Sequence, residues 1–187
     1  MNDSRTLYLD RGVLLNLCAT GRAEEVLMAL PYQCAVLEDI CQSPLFLWTQ
    51  NHGGEELLEC EEIIIDSLVS AGVLRVEHFE RERYKQAFVA FALHIRDRQA
   101  ALLALAEQRN AVLALDDKCT RRVLHRLAPH VPVISTLTCL YTWQMSGELP
   151  DTDMQAILKD VANKAQFTPP ENDPLYAWWQ RVMYKTT

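Results

Sequence analysis

The chain has 187 residues, of which 49% are hydrophobic and 23% are charged. This usage is that of a globular protein and excludes a disordered chain, and the length suits one domain better than two. The net charge of −7 argues against a broad basic surface that would hold nucleic acid non-specifically, but not against a cation-dependent nuclease, whose site is itself acidic. We therefore expect a single domain over residues 1–187.

The chain carries no long apolar segment. Residues 1–5 begin polar, which predicts no signal peptide, and the uncharged runs elsewhere are far shorter than the ~20 residues that a membrane span needs. The six cysteines form no C-x-x-C pair and have no zinc-like spacing, which favours reduced, structural thiols. We therefore expect a cytoplasmic protein with no membrane partner.

Short apolar runs alternate with helical patterns along the chain. The predicted elements are a strand at 6–9, helices at 12–17 and 23–30, a strand at 34–37, a loop at 51–54, a solvated acidic helix at 55–70, a strand at 73–79, helices at 80–95 and 98–109, a strand at 111–115, a helix at 118–127, a strand at 131–134, and helices at 137–146, 151–166 and from 173 onward. This order predicts an α/β fold: a three-layer α/β/α sandwich with a short, mostly parallel central sheet. The segment 167–187 is expected to pack back on the domain.

Acidic residues follow three of the predicted strands. Asp10 ends the first, Glu38 and Asp39 follow the second, and Asp116 and Asp117 follow the third long apolar run. The carboxyl ends of neighbouring parallel strands meet at one edge of a sheet, so these carboxylates are expected to converge. Crowded carboxylates favour a hard divalent cation, Mg²⁺ or Mn²⁺, and metal-assisted phosphodiester hydrolysis. The alternative is that each acid only caps the helix that follows it.

Four segments in this order resemble the PIN-domain nucleases. Residues 9–17 (LDRGVLLNL) are similar to the opening motif, in which an aspartate ends the first strand before an apolar helix. Residues 114–122 (ALDDKCTRR) resemble the late strand, Asp-Asp and basic helix, and 132–137 (PVISTL) resemble the short last strand and its Thr-Leu turn. The tail at 167–179 is similar to that of one bacterial and archaeal branch. The resemblance covers nearly the whole chain and is weakest over 48–70.

The resemblance implies a ribonuclease that depends on Mg²⁺ or Mn²⁺ and is frequently the toxin of a toxin–antitoxin pair. The implied partners are RNA, an antitoxin protein and a second copy of the chain in a homodimer. Asp10 would be the central metal ligand, with Asp116 or Asp117 opposite it.

The chain departs from the family pattern at two acids. Residues 42–44 (QSP) stand where the second acid is expected, and Gln99 stands at the position of the glutamate that begins the central helix. Glu38 is the expected substitute for the first of these and Asp97 for the second. The predicted catalytic residues are therefore Asp10, Asp97, Asp116 and Asp117, and the predicted metal ligands are these four with Glu38.

The replacements also support an alternative function. Glutamine binds a divalent cation much less well than glutamate, and Arg96 and Arg98 bring positive charge beside the expected pocket. A degenerate PIN-like module that binds RNA or a protein partner without cleavage is therefore the alternative to an active ribonuclease.

A basic helix follows the Asp-Asp turn. Lys118 and Arg122 fall on one side of this helix, near His125 and Arg126, and are predicted to bind the phosphates of the substrate. The alternative is an ordinary solvated helix face.

Overall fold

The computed structural model describes residues 5–40, 42–50 and 58–184. Within these ranges the strands are β1 (Thr6–Leu9), β2 (Gln33–Leu37), β3 (Leu45–Gln50), β4 (Leu58–Ile63), β5 (Arg75–Glu77), β6 (Val112–Ala114) and β7 (Val133–Ile134). The α-helices are α1 (Arg11–Ala19), α2 (Ala23–Ala29), α3 (Asp66–Ser70), α4 (Lys85–Ala92), α5 (Asp97–Gln108), α6 (Lys118–Leu127), α7 (Thr136–Ser146), α8 (Asp151–Lys164) and α9 (Tyr176–Met183), and a 3₁₀ turn spans Glu38–Ile40.

Five strands form a parallel sheet in the order β5-β2-β1-β6-β7. The central strand β1 places Tyr8 beside Ala35 of β2 and Leu113 of β6. Side chains alternate across the sheet, so Leu7 and Leu9 enter one apolar core and Tyr8 enters the other. Helices α1, α2, α7, α8 and α9 cover the first face, and α4, α5 and α6 cover the second. The predicted α/β/α sandwich is confirmed.

The last helix packs into the first of these cores. Trp178, Trp179 and Val182 are buried, and Nε1 of Trp178 donates a hydrogen bond of 2.9 Å to Oε1 of Gln144 in α7. The ring of Tyr141 meets Trp178 edge-on, with the ring centres 5.4 Å apart. Among the described helices, none combines the length and the apolar character that crossing a bilayer requires.

The acidic helix predicted over 55–70 is wrong. Leu58–Ile63 is β4, an antiparallel partner of β3, and only Asp66–Ser70 is helical. The cause is a non-local contact, because β4 pairs with Leu45–Gln50, for which the sequence predicts no strand. The loop predicted at 51–54 lies outside the described residues.

Two helix starts also differ from their predicted positions. The helix predicted from residue 80 begins at Lys85, after a turn. The helix predicted over 98–109 begins one residue earlier, because Arg96 occupies the N-cap position and Asp97 is the first helical residue. A carboxylate there still interacts favourably with the positive end of the helix dipole.

Candidate functional site

Two of the predicted acids lie in one cleft at the carboxyl edge of the sheet. Asp10 directly follows β1 and caps α1, where its Oδ2 accepts a hydrogen bond of 3.2 Å from the backbone N–H of Gly12. Asp116 follows the neighbouring strand β6, and both side chains line a cleft of about 910 Å³. Parallel pairing of β1 with β6 therefore brings these two acids together, as predicted from the sequence.

Asp116 is held by three donors. Its Oδ1 accepts from the backbone N–H of Thr136 at 2.9 Å. Its Oδ2 accepts from Oγ1 of Thr136 at 2.6 Å and from Nδ2 of Asn16 at 3.2 Å. Burial raises the pKa of Asp116, and the hydrogen bonds from Thr136 act against that increase. This carboxylate therefore joins α1 and the start of α7 to the end of β6.

Asp117 serves mainly as a helix cap. It is the N-cap of α6, and its Oδ2 accepts from the backbone N–H of Thr120 at 2.7 Å and from the hydroxyl of the same residue. Its charge still reaches Asp10: burial is the main cause of the raised pKa of Asp10, and the charges of Asp116 and Asp117 add to it.

The contacts of Asp116 predict that Asp116→Asn destabilises the fold. An amide presents N–H groups to the hydroxyl of Thr136 or the amide of Asn16, which are themselves donors. A lost buried hydrogen bond of this kind costs about 1–3 kcal/mol. Chemical denaturation of the variant at neutral pH measures this loss in the free energy of unfolding.

Asp10→Asn is the matched control and is expected to act in the opposite direction. Asparagine keeps an oxygen for the N–H of Gly12 and removes a charge that burial disfavours. Because the folded-state pKa of Asp10 is raised, the wild type loses stability as pH rises above the unfolded-state pKa. The variant should therefore be the more stable at neutral pH, and its advantage should vanish in acid. If both variants change the free energy of unfolding by the same amount and in the same direction, Asp10 and Asp116 do not differ in the way proposed here.

Exposed basic side chains of α6 form one wall of the cleft. Lys118, Arg122, His125 and Arg126 line it and are exposed. Arg121 differs, because it donates to the backbone carbonyls of Leu115 and Ile134 and so fastens the ends of β6 and β7. The opposite wall is the segment between α8 and α9, which contributes the partly buried ring of Phe167.

The substitute ligands predicted from the sequence lie elsewhere. Glu38 makes an ion pair of 2.5 Å with Nδ1 of His78, beyond β5, and raises the pKa of that imidazole. Asp97 is exposed in the first turn of α5. The lining of the cleft includes neither acid.

Of the two acids that follow β2, Asp39 rather than Glu38 lies near Asp10. Both line a small cavity of about 10 Å³, together with Arg11 and Arg98. The guanidinium of Arg98 makes an ion pair with Oδ2 of Asp39 and donates to Oγ of Ser43 at 3.2 Å. The contact with Asp39 is electrostatic: within the described part of the chain, that oxygen accepts no hydrogen bond of good geometry.

Arg11 adds a second cation at the same place. It donates to the backbone carbonyls of Ser43, at 2.8 Å, and of Pro44. Burial and the neighbouring charge of Arg98 lower its pKa, whereas the charges of Asp39 and Asp10 act to raise it. The side of Asp10 that faces β2 is therefore occupied by guanidinium groups.

The described residues do not fit a divalent metal centre. Among residues 5–40, 42–50 and 58–184, no three His, Cys, Asp or Glu side chains are placed to share one ion. Asp116 and Asp117 are engaged in hydrogen bonds, and Asp39 is paired with Arg98. The guanidinium groups of Arg11 and Arg98, which line the same small cavity as Asp10, would repel a divalent cation.

The sequence indicated some of these residues and missed others. Arg98 was recognisable, because it stands directly before the position of the missing glutamate. Asp39 was missed in favour of Glu38, since both follow β2 and only the 3₁₀ turn decides which one points to Asp10. The partners of Asp116, Asn16 and Thr136, had no motif that would mark them in the sequence.

A scan against models of protein families found no match, and searches of curated proteins and of solved structures found none either.

Proposed function

We propose that this chain is a non-cleaving, PIN-like module that binds RNA through its phosphates in the cleft between α6 and the segment that precedes α9. The observation that carries the proposal is the pairing of Asp39 with Arg98 beside Asp10, where an active nuclease needs acids around a metal. RNA as the ligand follows from the family resemblance.

The charges of the cleft support a phosphate ligand. Four exposed cationic or titratable side chains of α6 line it, at positions 118, 122, 125 and 126. Guanidinium and ammonium groups bind phosphate strongly, and this attraction is local enough to operate on a chain whose net charge is −7.

A metal-dependent ribonuclease is the second candidate. It is favoured by one observation, the position of Asp10 beside Asp116 and Asp117 at the ends of neighbouring strands. These are two of the places at which the resembling family carries acids. An antitoxin partner belongs to this candidate, because only a toxic activity needs an inhibitor.

Binding of RNA in the absence of divalent cations distinguishes the two functions. We expect a fluorescently labelled single-stranded RNA to bind the full chain equally well in EDTA and in Mn²⁺, and to stay intact on a denaturing gel. Anisotropy measures the binding, and a DNA oligomer of the same sequence tests the preference for RNA. Cleavage that requires Mn²⁺ and is lost in Asp10→Asn would establish the ribonuclease instead. Absence of binding at low salt would exclude the proposed function.

We further place the protein in the cytoplasm. The described cysteines are all free thiols, as expected in a reducing compartment. Burial raises the pKa of Cys18 to about 12 and that of Cys34 to about 12, so these two thiols stay protonated and unreactive. A homodimer is proposed on the family resemblance alone.

A further inference from the structure

β3 and β4 form a separate two-stranded antiparallel sheet, here called the hairpin. One face of the hairpin belongs to the domain core. Leu45 and Leu47 of β3 are 2% and 9% exposed, and β3 contacts α1 and α8. The hairpin is therefore attached to the helices that cover the first face of the parallel sheet, and its other face points outward.

The outward face of the hairpin is aromatic. Phe46 and Trp48 are 47% and 39% exposed, although both belong to residue types that dominate cores and interfaces. The strand register places Glu62 opposite Phe46 and Cys60 opposite Trp48. Ile64, directly after β4, is 71% exposed and extends the apolar surface. Adjacent exposed apolar groups with a polar edge are typical of a protein interaction site.

The negative charge on the outward face of the hairpin indicates which kind of partner would bind there. Glu62 is exposed in β4 and lies opposite Phe46, on the same face as the aromatic pair. Neighbouring strands lie about 4.8 Å apart, so two strands make a face about as wide as one helix, roughly 10 Å. We propose that the outward face of the hairpin binds an amphipathic, basic helix of another protein. The apolar stripe of this helix covers Phe46 and Trp48, and its cations contact the carboxylate of Glu62.

A second copy of the chain is the less suitable occupant. Two outward faces brought together would place Glu62 of each copy on the shared interface. Like charges in contact oppose association, and the net charge of −7 on each copy adds to this repulsion. The same negative charges attract a basic partner and so favour its binding.

Two designed peptides test the proposal with the full chain. The first is a blocked helical peptide with leucine along one face and lysine along the other, and the second carries glutamate in place of each lysine. We expect the lysine peptide to bind in calorimetry and the glutamate peptide to bind about tenfold more weakly. Trp48→Ser should weaken binding of the lysine peptide about tenfold, because exposed aromatic anchors dominate such interfaces. Val89→Ser, at a residue of α4 that is 47% exposed, should leave it unchanged.

The charge-reversing variant Glu62→Lys gives the sharpest outcome. It should weaken the lysine peptide and strengthen the glutamate peptide, which a general loss of apolar contact cannot do. Three results would overturn the proposal: no binding of the lysine peptide at millimolar concentration, equal binding of both peptides, or self-association of the wild type that Trp48→Ser abolishes. The last of these would make a second copy the occupant.

Discussion

The double variant Lys118→Glu, Arg122→Glu is expected to lose about 100-fold in affinity for single-stranded RNA at low salt. Both side chains are exposed in the first two turns of α6 and line the cleft. Each phosphate contact on a single strand contributes about 0.7 to the slope of log K against log salt, so the slope should fall by roughly 1.4. Anisotropy titrations over a series of salt concentrations measure both quantities.

The matched control carries the same charge reversals elsewhere. Arg83→Glu, Lys85→Glu changes the net charge by the same amount at exposed residues that pair with Glu80 and Glu82. If RNA binds in the cleft, this control should reduce the affinity only slightly and leave the salt slope unchanged. An equal loss in both double variants would mean that RNA responds to the overall charge and not to α6.

The sheet was predictable from the sequence because its strands are local, continuous apolar runs. Thr6–Leu9 and Gln33–Leu37 are buried on both faces, and such runs in alternation with helices specify a parallel sheet. Because Asp10 and Asp116 follow two strands of this sheet, their place at its carboxyl edge could also be predicted. Lys118 and Arg122 follow from the same reasoning, since they directly continue the Asp-Asp turn on a helix.

What the sequence could not supply depends on contacts between distant residues. β4 is formed by pairing with β3, and the acidic composition of residues 55–70 concealed that pairing. The choice of Asp39 over Glu38 depends on the 3₁₀ turn after β2, where successive side chains point about 120° apart. The position of Asp97 was equally hidden: it is exposed in the first turn of α5, where it interacts with the helix dipole, and it does not line the cleft.

Arg98→Glu is expected to create a response to Mn²⁺. The substitution removes the cation that pairs with Asp39 and adds a third carboxylate to the cavity that Asp10 and Asp39 already line. That cavity, about 10 Å³, is at the lower limit for a single water molecule, and loss of the guanidinium enlarges it. Without metal, three carboxylates repel one another and lower the midpoint of thermal unfolding. With Mn²⁺ in 100-fold excess over Kd, binding should stabilise the variant by about 2.7 kcal/mol.

The conservative variant Arg98→Gln separates loss of the arginine from gain of an acid. Glutamine also removes the guanidinium but supplies no carboxylate, so its unfolding midpoint should be the same in Mn²⁺ and in EDTA. If Arg98→Glu behaves like Arg98→Gln, Asp10 and Asp39 are too far apart to share an ion. If the wild type itself is stabilised by Mn²⁺, the arginines do not prevent metal binding, and the ribonuclease becomes the better proposal. A response confined to Arg98→Glu would mean that the guanidinium of Arg98, and not that of Arg11, occupies the place of a metal, so that a single substitution separates a binding module from a metal centre.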